Sequence, residues 1–214
     1  RLRVLDGLDA EPSPAWKGTA VHDILDKWHK DGERPDRLLA VADEVLDTMS
    51  AHPLMRTLWR PRLVAALEWI AAQVIAQHGE GRRAIGTEID GEINWRGVRI
   101  HGRADRIDRL DGGALAVVDY KTGGPPKAKM VQEGFALQLG LVGLMAQRGG
   151  FAGVSGDPER FEYWSLSPNR DGTGFGYVKE PVLEGRAKTG IPRDQFLDVT
   201  AAYLNDAIDK WILG

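Results

Sequence analysis

The sequence contains no cysteine. That absence excludes disulfides, thiolate zinc sites, iron–sulfur clusters and cysteine nucleophiles together. Any metal must then be held by oxygen and imidazole. Also missing is an apolar run approaching the ~18 residues of a membrane span, or the shorter one of a secretory signal. The expected location is therefore the cytoplasm, with no membrane partner. Neither charge dominates: 28 Lys and Arg stand against 31 Asp and Glu, a formal net charge of −3. A chain so balanced is no polycation, and receiving a nucleic acid needs a local basic patch or a metal. No Gly-x-x-x-x-Gly-Lys-Ser/Thr phosphate loop occurs, so ATP-driven movement lies outside these residues.

What is present is a globular composition, 43% hydrophobic and 28% charged over 214 residues, which fits a single domain. The first residue is Arg1 rather than Met, and the chain reads as a fragment of a larger protein. Ser13-Pro14 marks a helix start, with Ser as cap and Pro in the first turn. Val21, Ile24, Leu25 and Trp28 recur at helical spacing, which predicts a helix over 14–30. Helical pattern continues from Asp36 to His78, interrupted near Ala51-His52-Pro53, with Leu58, Leu63, Val64, Leu67, Ile70, Ala71 and Val74 as its apolar stripe.

The period then changes to two. Ile89, Ile93, Val98, Ile100 and Ile107 alternate with polar residues, and turn signals stand at Arg96-Gly97 and Asp111-Gly112-Gly113. Leu115–Tyr120 is a short, nearly all-apolar strand of the buried kind. A three-strand meander follows from these signals. A buried helix is expected over 127–148, a strand over 161–166, a Gly-rich loop from Ser167 to Gly176, a weaker strand over 177–182 and a last helix over 191–213. The domain thus divides into a helical part over 14–80, a sheet and catalytic core over 84–182, and a closing helix, an α/β fold with a mixed central sheet flanked by helices.

The segment Gly102-Arg-Ala-Asp105-Arg-Ile-Asp108, followed by Val117-Val-Asp119-Tyr120-Lys121, carries the chemistry. If the turn is centred on Gly112, paired residues sum to 224, which sets Asp105 opposite Asp119. Lys121, two residues on, shares that face. Like charges placed opposite each other weaken a sheet by roughly 0.2–1 kcal/mol. Two carboxylates so placed make sense around a divalent cation, and all-oxygen ligation suits Mg²⁺, with Mn²⁺ as substitute. The Tyr120 carbonyl lies between the two side chains as a further ligand. Asp108 faces the other way, either supporting the metal ligands from behind or forming a salt bridge with Arg106 or Arg109. The alternative is that Asp105 and Asp119 merely pair with Arg103 and Lys121 at a solvated sheet end.

With Gly18-x-x-x-His22 ahead of this segment and Gln138 after it, the ordered motifs resemble those of RecB-like nucleases of the PD-(D/E)XK superfamily. They are most similar to the C-terminal nuclease domain of AddB-type double-strand-break repair proteins. The likeness spans about residues 15–145. It implies a restriction-endonuclease-like core and Mg²⁺-dependent hydrolysis of DNA phosphodiesters. It also implies a helicase–nuclease partner subunit or helicase-like region outside this chain. Asp105 and Asp119 then hold metal with His22, Lys121 acts on the attacking water, and Gln138 orients groups nearby. Many relatives fasten the domain with a four-cysteine iron–sulfur cluster, which cannot exist here. The family's Tyr four residues after the Gln is Val142 in this chain.

Gln138 lies in the helix that is apolar nearly all round, so its amide is expected to be buried and bonded. Glu88 stands at the start of the first strand, where the resembled family often carries an acidic residue; with Asp90 and Glu92 it shares one strand face, and the set reads as solvated edge charge. Arg103, Arg106, Lys127 and Lys129 are candidate phosphate contacts, with solvated helix-start charge as the alternative for the two lysines. His29, His52, His78 and His101 show no partner spacing. Two other functions compete: a catalytically silent nuclease-like DNA-binding or assembly module, and a two-carboxylate glycosidase, which leaves Lys121 without a role.

Overall fold

The computed structural model describes residues 14–48, 53–169 and 172–212. The Ser13 cap, Ala51 and His52 lie outside these, as does the Leu58 side chain.

Helix α1 (Pro14–Lys30) buries Val21, Ile24, Leu25 and Trp28, as their spacing requires. Helices α2 (Leu38–Thr48) and α3 (Pro53–Gly79) pack beside it. Leu63, Leu67, Ile70, Ala71 and Val74 form the inward stripe of α3. The sheet comprises β1 (Arg83–Trp95), β2 (Val98–Arg109), β3 (Leu115–Lys121), β4 (Pro158–Pro168) and β5 (Phe175–Lys179), in spatial order β1-β2-β3-β4-β5. The meander β1-β2-β3 is antiparallel, β4 runs parallel to β3, and β5 is antiparallel to β4. The parallel step needs a long connection; two helices, α4 (Ala128–Gln132) and α5 (Gln138–Gln147), lie in it. Helix α6 (Phe196–Trp211) packs on α5.

The sheet therefore separates two cores. Helices α1–α3 cover Val118, Tyr120, Trp164 and Leu166 on one face. Residues of α4, α5 and α6 cover Ile107, Leu115, Val117, Phe161 and Tyr163 on the other. The mixed α/β architecture expected from the sequence is the one observed.

The β1–β2 turn is the two-residue Arg96-Gly97, both with positive φ (52° and 83°), flanked by the pair Trp95↔Val98. That geometry matches the twist of a hairpin, and glycine tolerates it at no steric cost.

Three expected elements differ. The single helix over 127–148 is broken into α4 and α5, because Gly134 takes φ 82° and Phe135 N–H closes back on the Met130 carbonyl. A glycine in the left-handed region is a helix stop. A Cβ at Gly134 would stand 2.8 Å from the Tyr203 ring, so the break is also packed in place. The last helix begins at Phe196 rather than near 191, because Ile191 instead bridges Val182 and Pro192 follows. For the same reason the fifth strand ends at Lys179, with Val182 in that isolated bridge.

Between α1, α3 and the sheet lies a buried ionic chain. Arg82 donates to both oxygens of Glu162 (2.9 Å each) and to Asp108 (2.7 Å). Arg106 donates to Asp108 (2.6 Å) and Glu33 (2.9 Å). Asp108 is 0% and Arg106 2% exposed. Glu33 also meets His29 Nδ1 at 3.0 Å and His78 Nε2 at 2.7 Å. Burial opposes ionisation of Glu33, yet the His29 hydrogen bond and the Arg106 charge hold its carboxyl down at about 2. Asp108 thus finds the Arg106 partner that its strand position implied, whereas Arg109 turns to the Gly113 carbonyl.

Candidate active site

Four pairs from Arg109↔Leu115 to Arg106↔Val118 sum to 224, the register read from the Gly112 turn. The ladder ends there, one step short of Asp105 and Asp119. Instead, the Tyr120 N–H donates to Asp105 Oδ2 at 2.8 Å. The carboxylate of Asp105 thus occupies the gap where β2 and β3 part, and the site is built at that fork.

A residue from β1 joins it. Thr87↔Arg106 and Ile89↔Ala104 flank Glu88, which places it beside Asp105. Glu88 has φ 45°, and the β1 register shifts between Ala84 and Gly86. This irregularity breaks the alternation that grouped Glu88 with Asp90 and Glu92. Those two are edge charges, bonded to Arg103 and Arg99. Glu88 is not: it is half-buried and bonded to His22, Nδ1 to Oε1 at 2.6 Å. Solvated edge charge is therefore the wrong reading of Glu88.

His22 reaches the fork from α1, with Asp105 Oδ1 3.7 Å from its Nδ1. One ligand atom from each of His22, Glu88 and Asp105 lies within 4.8 Å of the others. Asp119 stands outside that trio, but its charge is felt by both His22 and Asp105. Both oxygens of Asp119 are buried, and neither makes a hydrogen bond of good geometry among the described residues; Oδ2 has the Lys121 ammonium at 2.6 Å. The Lys121 ammonium in turn donates to Gln138 Oε1 at 3.2 Å. Tyr120, between the two, packs its ring almost perpendicular to His22 at 6.0 Å.

The electrostatics show three acids crowding one another. Desolvation and then the Asp119 charge push the Asp105 carboxyl up to about 6. Burial raises Asp119 as well, against the pull of Lys121 and His22. Burial works against a charged His22, but the Glu88 hydrogen bond and the fields of Asp105, Glu88 and Asp119 raise it overall. Three carboxylates, one of them with a buried oxygen that has no partner among the described residues, offer the oxygen donors a hard divalent cation takes, and the imidazole adds one nitrogen donor. The residues fit such an ion.

The remaining expected residues fare differently. Gln138 is exposed at the start of α5 rather than buried, since the helix break brings it to the surface beside Lys121. Arg106 is sealed in the core by Asp108 and Glu33 and cannot meet a phosphate. Arg103 is exposed but held bidentately by Asp90 (2.9 and 3.1 Å). Lys127 and Lys129 are exposed around the start of α4, the latter 3.6 Å from Glu133. No alternation rule locates Glu88, which stands near the middle of β1 where the backbone turns to positive φ.

The family model described as the PD-(D/E)XK nuclease superfamily matches residues 1–213. An uncharacterized protein of Rickettsia bellii is 26% identical over 71% of this chain and 19% of its own length. One from Rickettsia felis is 26% identical over 95% of this chain and 24% of its own. The chain thus spans less than a quarter of the length of these curated relatives. The crystal structure of SSO0001 aligns with 16% identity over 71% of this chain and 68% of that one, at a TM-score of 0.29, too remote to carry an argument.

Proposed function

Because the chain belongs to the PD-(D/E)XK nuclease superfamily, whose members are generally metal-dependent nucleases, we propose that it is a Mg²⁺-dependent deoxyribonuclease hydrolysing phosphodiester bonds. The observation that carries this reading is the convergence of Glu88, Asp105 and His22 at the strand fork, next to the buried Asp119, which has Lys121 beside Oδ2 and no partner at Oδ1 among the described residues.

In this reading Glu88, Asp105, Asp119 and His22, with the Tyr120 carbonyl, hold the cation. A divalent ion there supplies a Lewis acid for a phosphoryl oxygen and makes bound water more acidic. Lys121 places its ammonium beside Asp119, orients the attacking water and offsets charge growing on the phosphoryl oxygens. Gln138 fixes that ammonium by accepting its N–H. Glu88 holds the His22 ring in orientation through Nδ1. The cation also reverses the local field, which lets a chain of net charge −3 accept a polyanion.

The ordered motifs, together with relatives of which the match covers 19% and 24%, support a larger reading. We place the domain within a helicase–nuclease acting in double-strand-break repair in the cytoplasm, with Lys127 and Lys129 as candidate phosphate contacts. The test is cleavage of linear DNA by the purified chain. Activity is expected with Mg²⁺ or Mn²⁺ and none after EDTA; cleavage that persists in EDTA, or its absence with either metal, rejects the reading.

A further inference from the structure

A cavity of about 170 Å³ opens beside Thr122, one residue from Lys121. Trp59 and Phe175, both half-buried, form its aromatic walls, and Leu63 belongs to its apolar lining. Trp16 braces Trp59, ring centroids 5.2 Å apart. Lys17 and Arg62 also line it. Neither has an ion pair or hydrogen bond among the described residues. Neighbouring Arg60, by contrast, is held by Asp43. Next to Lys17, Gly18 leaves open space where a Cβ would stand.

We propose that this cavity receives one unpaired base of the substrate strand, with the phosphates on either side of it held by Lys17 and Arg62. The inference rests on the nuclease reading and narrows its substrate to DNA presented single-stranded near the cut. Aromatic walls supply a stacking surface that every base can use, and two cations without a partner among the described residues supply the sequence-independent hold on the backbone. A base still stacked in a duplex cannot enter a walled cavity without being extruded. A small apolar ligand would fill the same volume but would leave both cations unanswered. Lys17 shares α1 with His22, and Thr122 directly follows Lys121, so the cavity draws on two of the chain segments that carry the site.

The test uses the whole chain and a labelled 15-nucleotide DNA single strand, with Ca²⁺ in place of Mg²⁺, read by fluorescence anisotropy. One abasic site is moved along the strand. At one register, loss of the base is expected to weaken binding about tenfold in the wild type and to have no effect in Trp59→Ala. Lys17→Gln and Arg62→Gln, surface changes that leave the core untouched, should each weaken binding several-fold and lower the salt slope by about 1. Two results overturn the proposal while leaving the nuclease reading standing: Mg²⁺-dependent cleavage with binding insensitive to the abasic site at every register, or equal Trp59 dependence for fully paired duplex. A chain that cleaves no DNA with Mg²⁺ or Mn²⁺ overturns the nuclease reading and this inference with it.

Discussion

Asp119→Asn is expected to reduce Mg²⁺-dependent DNA cleavage by about a thousandfold or more while leaving the metal-free fold at least as stable as the wild type. The two halves of that expectation have one cause. Asp119 is a buried carboxylate without a well-formed hydrogen bond, and burial already drives its carboxyl upward. Asparagine keeps the shape and removes a charge that repels Asp105, so the fold loses an unfavourable contact. What it cannot replace is an anionic ligand, and the electrostatic stabilisation that depends on it is worth several kcal/mol of barrier. Lys121→Ala should lose roughly 10²–10³-fold, the size seen when one preorganised donor to developing charge is removed. Cleavage rates on linear DNA, paired with thermal melting in EDTA, separate the two effects. A variant inactive only because it has unfolded would show a lowered melting point, opposite to the expectation.

Asp108→Ala should do the reverse: lower stability by about 3–5 kcal/mol, the usual result of breaking a buried pair. Asp108 is the shared acceptor of Arg82 (2.7 Å) and Arg106 (2.6 Å), and it lies more than 10 residues of strand and turn from the Asp119 position. Its removal leaves two interior guanidiniums with only Glu162 and Glu33 to balance them. Asp90→Ala, which breaks an ion pair between exposed side chains at the sheet edge, should change stability by about 0.5 kcal/mol or less. Urea unfolding of both variants measures the contrast.

Those two aspartates also mark what the sequence could convey. Local patterns were sufficient for α1, for the inward stripe of α3 and for the register of β2 on β3, because each follows from periodicity or from a short turn. The register even predicted which residues approach the fork, though not that the strands would part there and that Asp105 would bond to the Tyr120 N–H. Features that depend on sequence-distant partners were out of reach. Arg106 looked like a surface cation beside two acids. Only the fold brings Glu33, 73 positions away, to its other side and turns it into core. Glu88 was hidden by a rule that is sound for regular strands and fails at a residue with positive φ. Gln138 was placed in the interior by the helix that surrounds it in sequence. The Gly134 break, legible in principle as a glycine stop signal, puts it at an exposed helix start.

Calorimetric titration of the metal-free chain with Mn²⁺ at pH 7.5 and pH 5.5 measures directly whether Glu88, Asp105, Asp119 and His22 hold a divalent cation, as proposed. Asp105 keeps its proton to about 6 and His22 is raised, so both must lose protons before they can bind metal. Binding is therefore expected at pH 7.5, weaker by about tenfold or more and with greater proton release at pH 5.5, and lost in the double variant Glu88→Gln/Asp105→Asn. Mn²⁺ binding of equal strength in that variant, or at the lower pH, would contradict the account.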